Sequence, residues 1–341
     1  MHVLPAAAAL ASLSLSVSAL APSTGAIKRH QHLKRGSSYS LTTHAAGQDF
    51  FDLFRFDQHS SVGGIADYVD ESTAWKNELV AVKDGKAHLR VSPDGSGSTR
   101  QSVKLVTKQQ YQEGLYVWDV ERMPQVCGAW PAIWSTGDNW PQGGEIDIVE
   151  FVSHQSMNSF SVHTGDGCWA GSSGYTGRAM LATQNALNCA AEQTSAQGCG
   201  FRTTRNNTAG MGANFNGGGV YVVEWSSAGI KAWMFERDQV PNDLKSKTPD
   251  PASWTKPDMY ISSSSCDPST YFSPQNFIVN TELCGTWPDG TWSQDNSYAG
   301  QSEGSCAETT GFATCQEYVQ SRGWDFKHAY WRIASFSIYN Q

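Results

Sequence analysis

The 341-residue sequence is short of charge, and short of positive charge in particular. Charged side chains make up 16% of it, with 24 basic against 32 acidic residues and a formal net charge of −8. The body of the chain has no basic cluster, so it lacks the cationic surface that a phosphate backbone requires, and nucleic acid is excluded as a partner. It has no Cys-x-x-Cys pair and no paired-histidine spacing, which removes the common zinc frameworks. After the first 21 residues no run is long and apolar enough to cross a bilayer or act as a lipid-anchor signal. There is no internal repeat, and no linker rich enough to cut the chain in two.

Eight cysteines are present, at 127, 168, 189, 199, 266, 284, 306 and 315. An even number without metal spacing predicts disulfides in an oxidising compartment, although spacing alone leaves 105 possible pairings open. The amino terminus agrees with export. Ala6 to Ala21 is an apolar, small-residue run ending just before Pro22, which predicts a signal peptide over 1–21. The dibasic pairs Lys28-Arg29 and Lys34-Arg35 then predict a propeptide over 22–35, leaving a single domain over 36–341. The expected location is extracellular, and the expected state a monomer without a membrane anchor. Asn206-Asn207-Thr208 is an acceptor sequence for N-glycosylation. Most of the 13 tryptophans are expected in the core, and a surplus of Trp and Tyr suits stacking on sugar faces.

Short alternating segments with turn residues between them dominate the rest. Strands are predicted at 86–92, 102–108, 114–120, 130–134, 145–151, 158–163, 277–283 and 331–339, with a hairpin over 220–235. Phe50, Phe51, Phe54 and Phe56 are expected in the core. Helical spacing singles out 311–321, and a short helix is expected near 184–193. The Gly-, Ser- and Asn-rich section 165–219 is expected to wall a cleft. The pattern is that of an all-β sandwich.

The stretch from Gly143 to Phe151, Gly-Gly-Glu-Ile-Asp-Ile-Val-Glu-Phe, stands apart. It sets Glu145, Asp147 and Glu150 among β-branched residues, in a segment patterned like a buried strand. Carboxylates there repel one another and lose solvation, so a function is the better reason for them than a solvated face. Side chains alternate along a strand, so Glu145 and Asp147 share a face, while Glu150 falls one residue out of phase. One extra residue near Ile148–Val149, a β-bulge, brings it back. The two glutamates would then lie about 5–6 Å apart, the separation of nucleophile and acid/base in a retaining glycosidase.

Glu-Ile-Asp-Ile-Val-Glu resembles the Glu-x-Asp-x-x-Glu signature of glycoside hydrolase family 16, in the bulged form of its laminarinase-type members. The likeness runs from about Tyr39 to Tyr339 and is nearest to fungal secreted endo-1,3(4)-β-glucanases. It implies a concanavalin A-like jelly-roll β-sandwich with an open cleft on its concave sheet, four disulfides, and β-glucan as the partner. It also implies Glu145 as nucleophile, Glu150 as acid/base and Asp147 as their assistant, with no metal or organic cofactor. By the same resemblance Trp134, Trp140 and Trp287 stack on sugar rings and His163 hydrogen-bonds near the nucleophile. Gln155 and Asn158 are left outside this set. Two rivals share the fold. A non-catalytic glucan-binding protein would have lost one or both glutamates, and this chain keeps both. A wall-remodelling transglycosylase would pass the sugar to another glycan.

Overall fold

The computed structural model describes residues 39–60, 63–181 and 185–341, and the expected signal peptide and propeptide lie outside the described residues. Two eight-stranded sheets carry most of the chain. One runs in the order Met259–Ser262, Gly229–Glu236, Gly219–Ser226, Gly114–Arg122, Tyr330–Asn340, Lys86–Arg90, Val80–Lys83, with Ser40–Ala45 also paired to Tyr330–Asn340. The other runs Arg178–Ala179, Cys199–Arg202, Ser159–His163, Glu145–Glu150, Ala129–Gly137, Gln275–Leu283, Lys104–Thr107, Phe54–Phe56. Pairing within both is antiparallel. A small parallel pair, Ala66–Tyr68 with Arg100–Ser102, stands beside them.

Alternation drives the two sheets together. Along Ala129–Gly137, Ile133 and Ser135 are buried, while Trp130, Trp134 and Thr136 face outward and are half-buried. Ile146, Ile148 and Val149 join Phe160, Val162 and Phe201 in the main core. From the opposite sheet Trp118 and Phe336 stack at 3.9 Å between centroids, with Phe277 against both. Removing these large apolar faces from water is what holds a sandwich closed. The result is a jelly-roll β-sandwich, with the site strand in the middle of its second sheet.

Local signals set the elements around this core, and they correct three expectations. The helix predicted over 311–321 is two helices, Cys306–Thr310 and Cys315–Ser321. Gly311 takes φ +74 and ends the first, and the Thr314–Glu317 capping box starts the second. The helix expected near 184–193 is one 3-10 turn, Ala191–Gln193. The Cys189–Cys199 bridge ties together the two ends of the ten-residue stretch that contains this turn. Phe50, Phe51 and Phe54 are buried, whereas Phe56, on the edge strand, is half-buried because no further strand covers it.

All eight cysteines are paired, as Cys127–Cys306, Cys168–Cys266, Cys189–Cys199 and Cys284–Cys315. Three of these bridges join segments 31 to 179 residues apart, and closing loops of that length typically stabilises by about 2–4 kcal/mol each. The denatured, unreduced protein is therefore expected to resist iodoacetamide at every cysteine, and peptide mapping should return these four pairs. A labelled thiol would refute the pairing.

Candidate active site

Glu145–Glu150 carries the bulge its spacing predicts. Against Ser159–His163, Asp147 pairs with Ser161, yet the next pair is Glu150 with Ser159. Against Ala129–Gly137 the shift falls between Asp147 and Val149. Ile148 and Val149 are therefore consecutive and both fully buried, and Glu145, Asp147 and Glu150 emerge on the face turned away from the core. The strand begins on Gly143-Gly144, and both glycines are required. Gly144 holds φ +76, and a Cβ there would lie 2.4 Å from the Phe272 ring; one at Gly143 would lie 2.0 Å from the Asp138 carbonyl oxygen.

A bulge strips backbone groups from the ladder, and buried ones must find other partners. Asn158 supplies them. Its side-chain amide donates to the Ile148 carbonyl at 2.9 Å, and its carbonyl accepts from the Glu150 amide at 3.1 Å. Asn158 is itself fully buried and donates its own backbone N–H to the Thr208 hydroxyl at 2.9 Å. Sequence reasoning passed over it, since nothing in the local pattern says that an asparagine eight residues on spans the bulge. Gln155, also passed over, is fully buried with neither side-chain polar atom paired.

Each acid has a different partner. The Trp130 indole N–H donates to Glu150 Oε1 at 2.9 Å. His163 Nε2 lies 3.0 Å from Asp147 Oδ2 and 3.6 Å from Glu145 Oε1, so a proton there is donated chiefly to Asp147. Trp140 hydrogen-bonds Glu145 and is nearly half exposed. Gly198 lets His163 lie this way: with φ +57, it sits where a Cβ would come 2.9 Å from the ring Nδ1. Trp134 donates to Asn280 at 2.8 Å, with the Lys104 ammonium 6.0 Å from its ring centre. Trp287 packs edge-on to Trp130, with ring centroids 5.9 Å apart.

The seven residues singled out from the sequence thus fall around one patch of the second sheet. Trp130 was missed, though its signal was present: it lies an even four residues before Trp134 on a strand, and so shares that face. Glu145, Asp147 and His163 offer ligand atoms within 4.8 Å of one another. The histidine nitrogen in that set is already engaged by Asp147.

Burial dominates the electrostatics. Desolvation first, then the Asp147 charge, push both Glu145 and Glu150 from an ordinary 4.5 up to about 8. Burial alone lifts Asp147 from 3.8 to about 8. His163 pulls both glutamates back, and so do the hydrogen bonds from Trp140 and Trp130 respectively. Such a cluster holds protons as a unit, so its titration belongs to the group and not to single members.

Comparison with known proteins places this geometry. Residues 51–339 match the family described as "XgeA-like, catalytic GH16 domain". The chain is 34% identical to an endo-1,3(4)-β-glucanase of Arthroderma benhamiae, over 89% of this chain and 65% of that one. It is 36% identical to a probable endo-1,3(4)-β-glucanase of Neosartorya fischeri, over 96% of this chain and 50% of that one. The chain thus spans between half and two thirds of the length of these two relatives. Among solved structures, laminarinase 16A from Phanerochaete chrysosporium, with β-glucans in donor and acceptor sites, superposes with TM-score 0.78 at 33% identity. That match covers 89% of this chain and 100% of the other.

The raised carboxyls fix the sign of a pH effect. Between about 4.5 and 8 the folded protein keeps protons that the unfolded chain releases. Stability is therefore full near pH 4.5 and declines as pH rises towards 8. Glu150→Gln removes one such group. Its melting temperature should match the native value near pH 4.5 and exceed it by a few degrees near pH 8. Calorimetry across that range checks this, and a difference that does not grow with pH would contradict it.

Proposed function

The chain belongs to glycoside hydrolase family 16, and from that premise we propose that it is a retaining endo-β-glucanase. It cleaves internal β-1,3 bonds, and β-1,4 bonds next to a β-1,3 bond, in laminarin-type and mixed-linkage glucans. The observation that carries this is the bulge, which sets Glu145, Asp147 and Glu150 on one face of a central strand. The two curated relatives named above, an endo-1,3(4)-β-glucanase and a probable one, and the solved laminarinase support the same substrate class.

Glu150, held protonated by burial and by the Asp147 charge, is the acid that gives its proton to the leaving oxygen. Glu145 attacks the anomeric carbon, and the bond to the leaving glucan breaks as the glycosyl-enzyme forms. Glu150, now ionised, takes a proton from water, whose oxygen bonds the anomeric carbon and frees Glu145. Asp147, on the same face between the two glutamates, helps settle which one holds the proton, and His163 orients Asp147. Trp134, Trp140 and Trp287 offer flat faces to sugar rings, and Trp130 fixes the Glu150 carboxyl. No step calls on a metal or cofactor. Four disulfides and an apolar leader suit a secreted enzyme, read here as a monomer, whose exported form begins at or near Gly36. N-terminal sequencing finding Met1 or Lys28 instead would refute that processing.

Glu145→Gln and Glu150→Gln should each lower kcat on laminarin by about three orders of magnitude or more without unfolding the protein. Azide sorts the roles in the alanine variants: an α-glycosyl azide from Glu145→Ala and a β-azide from Glu150→Ala. Substantial activity in either glutamine variant would remove that residue from the mechanism.

Linkage follows from the same bulge, which re-aims Glu150 and reshapes the cleft floor. Laminarin should be cut internally with the β-anomer appearing first, while cellulose, a straight chain, is left intact. NMR of the first products decides this; an α-anomer first, or cellobiose from cellulose, would sink the assignment.

A further inference from the structure

The ladder that carries Glu150 continues outward to an arginine that the mechanism leaves unused. Glu150 pairs with Ser159, and Ser159 with Arg202. Directly paired residues in an antiparallel sheet share a face, so all three point the same way. The neighbouring pair, Phe160 with Phe201, is fully buried in the core, which confirms that Arg202 stands on the outer face with Glu150.

Arg202 is only 5% exposed and Ser159 is fully buried, yet neither the Arg202 Nε nor the Ser159 hydroxyl has a hydrogen-bond partner. Among the described residues no carboxylate forms an ion pair with Arg202. Its guanidinium lies over the Tyr298 ring, 5.0 Å from the centroid, and that ring is about half exposed. A nearly buried guanidinium with no hydrogen-bond partner is costly, and one laid over an aromatic ring still awaits an acceptor of hydrogen bonds.

We propose that Arg202 and Tyr298, with the buried Ser159 paired to Arg202, form a subsite for the hydroxyls of a glucosyl residue on the leaving-group side of Glu150. The inference rests on the glucanase reading. Strands lie about 4.8 Å apart, so Arg202 is about two strands from Glu150, near the span of a sugar bonded to the departing oxygen. The two flanks of the acidic strand differ in character. Trp130, Trp134 and Trp287 gather on the other flank, where stacking can retain the half of the glucan held as glycosyl-enzyme. The Arg202 flank offers hydrogen-bond donors that let a product leave and an acceptor sugar enter. An acceptor bound there competes with water for the glycosyl-enzyme: its hydroxyl oxygen bonds the anomeric carbon, Glu150 takes the hydroxyl proton, and Glu145 departs. Affinity at this subsite therefore sets the share of transfer over hydrolysis.

The test compares two substrates in Arg202→Met, Arg202→Lys and Ser159→Ala. Laminaripentaose places sugar on both sides of the cleaved bond, whereas 4-nitrophenyl β-laminaribioside places none on the leaving side. Both Arg202 variants should lose about tenfold more kcat/KM on the pentaose than on the aryl glycoside, because lysine keeps the charge but not the fork. Transfer to added laminaribiose should fall by a similar factor, and Ser159→Ala should show a smaller loss of the same kind. Equal losses on the two substrates, or a larger loss on the aryl glycoside, would overturn the subsite. If neither Arg202 variant folds, Ser159→Ala decides by the same ratio. A native protein inactive on the pentaose would refute the glucanase reading itself.

Discussion

The hydrogen-bond pair by which Asn158 spans the bulge is the constraint on which the site depends. Without it, the Ile148 carbonyl and the Glu150 amide would be stranded near the core, and the strand would gain by slipping back into regular register. Regular register would turn Glu150 into the core and leave Glu145 and Asp147 facing an incomplete site. Asn158 is in turn held by Thr208, whose carbonyl accepts the Tyr221 hydroxyl at 2.6 Å from the opposite sheet. The position of one carboxyl thus depends on both layers of the sandwich.

Burial then gives those carboxyls their character. Exposed, three acids on six residues would all be ionised near neutrality and no proton would remain to give. Taken out of water by the sheet, all three are lifted, and their partners differentiate them. Glu150 meets a neutral indole donor, Asp147 meets the imidazole, and Glu145 lies farther from that imidazole, with Trp140 as its own neighbour. Neutral donors orient a carboxyl without forcing it to ionise as strongly as a cation would. The bridging loops serve the same end: the disulfides Cys168–Cys266 and Cys189–Cys199 tie down the long section that flanks the strand carrying His163.

Much of the fold was legible because the pattern that encodes it is local. The alternation at 114–120, 277–283 and 331–339 marks strands observed at Gly114–Arg122, Gln275–Leu283 and Tyr330–Asn340. The hairpin over 220–235 is there as Gly219–Ser226 and Gly229–Glu236. One failure came where two signals overlapped. Apolar spacing over 311–321 ran across a glycine that ends one helix and a threonine that begins the next.

By itself, the sequence determined that three acids lie on one strand and that an extra residue is needed to align them, because side-chain alternation is a property of a single segment. It also determined an even set of cysteines, but not one of their four pairings. Tertiary structure alone decided what each acid meets: Trp130 for Glu150, His163 for Asp147, Asn158 for the bulge itself. The same holds for the row from Glu150 through Ser159 to Arg202, which joins residues 52 positions apart. Those neighbours are set by inter-strand register, and register is fixed by burying the whole of two sheets against each other, which no single stretch of sequence contains.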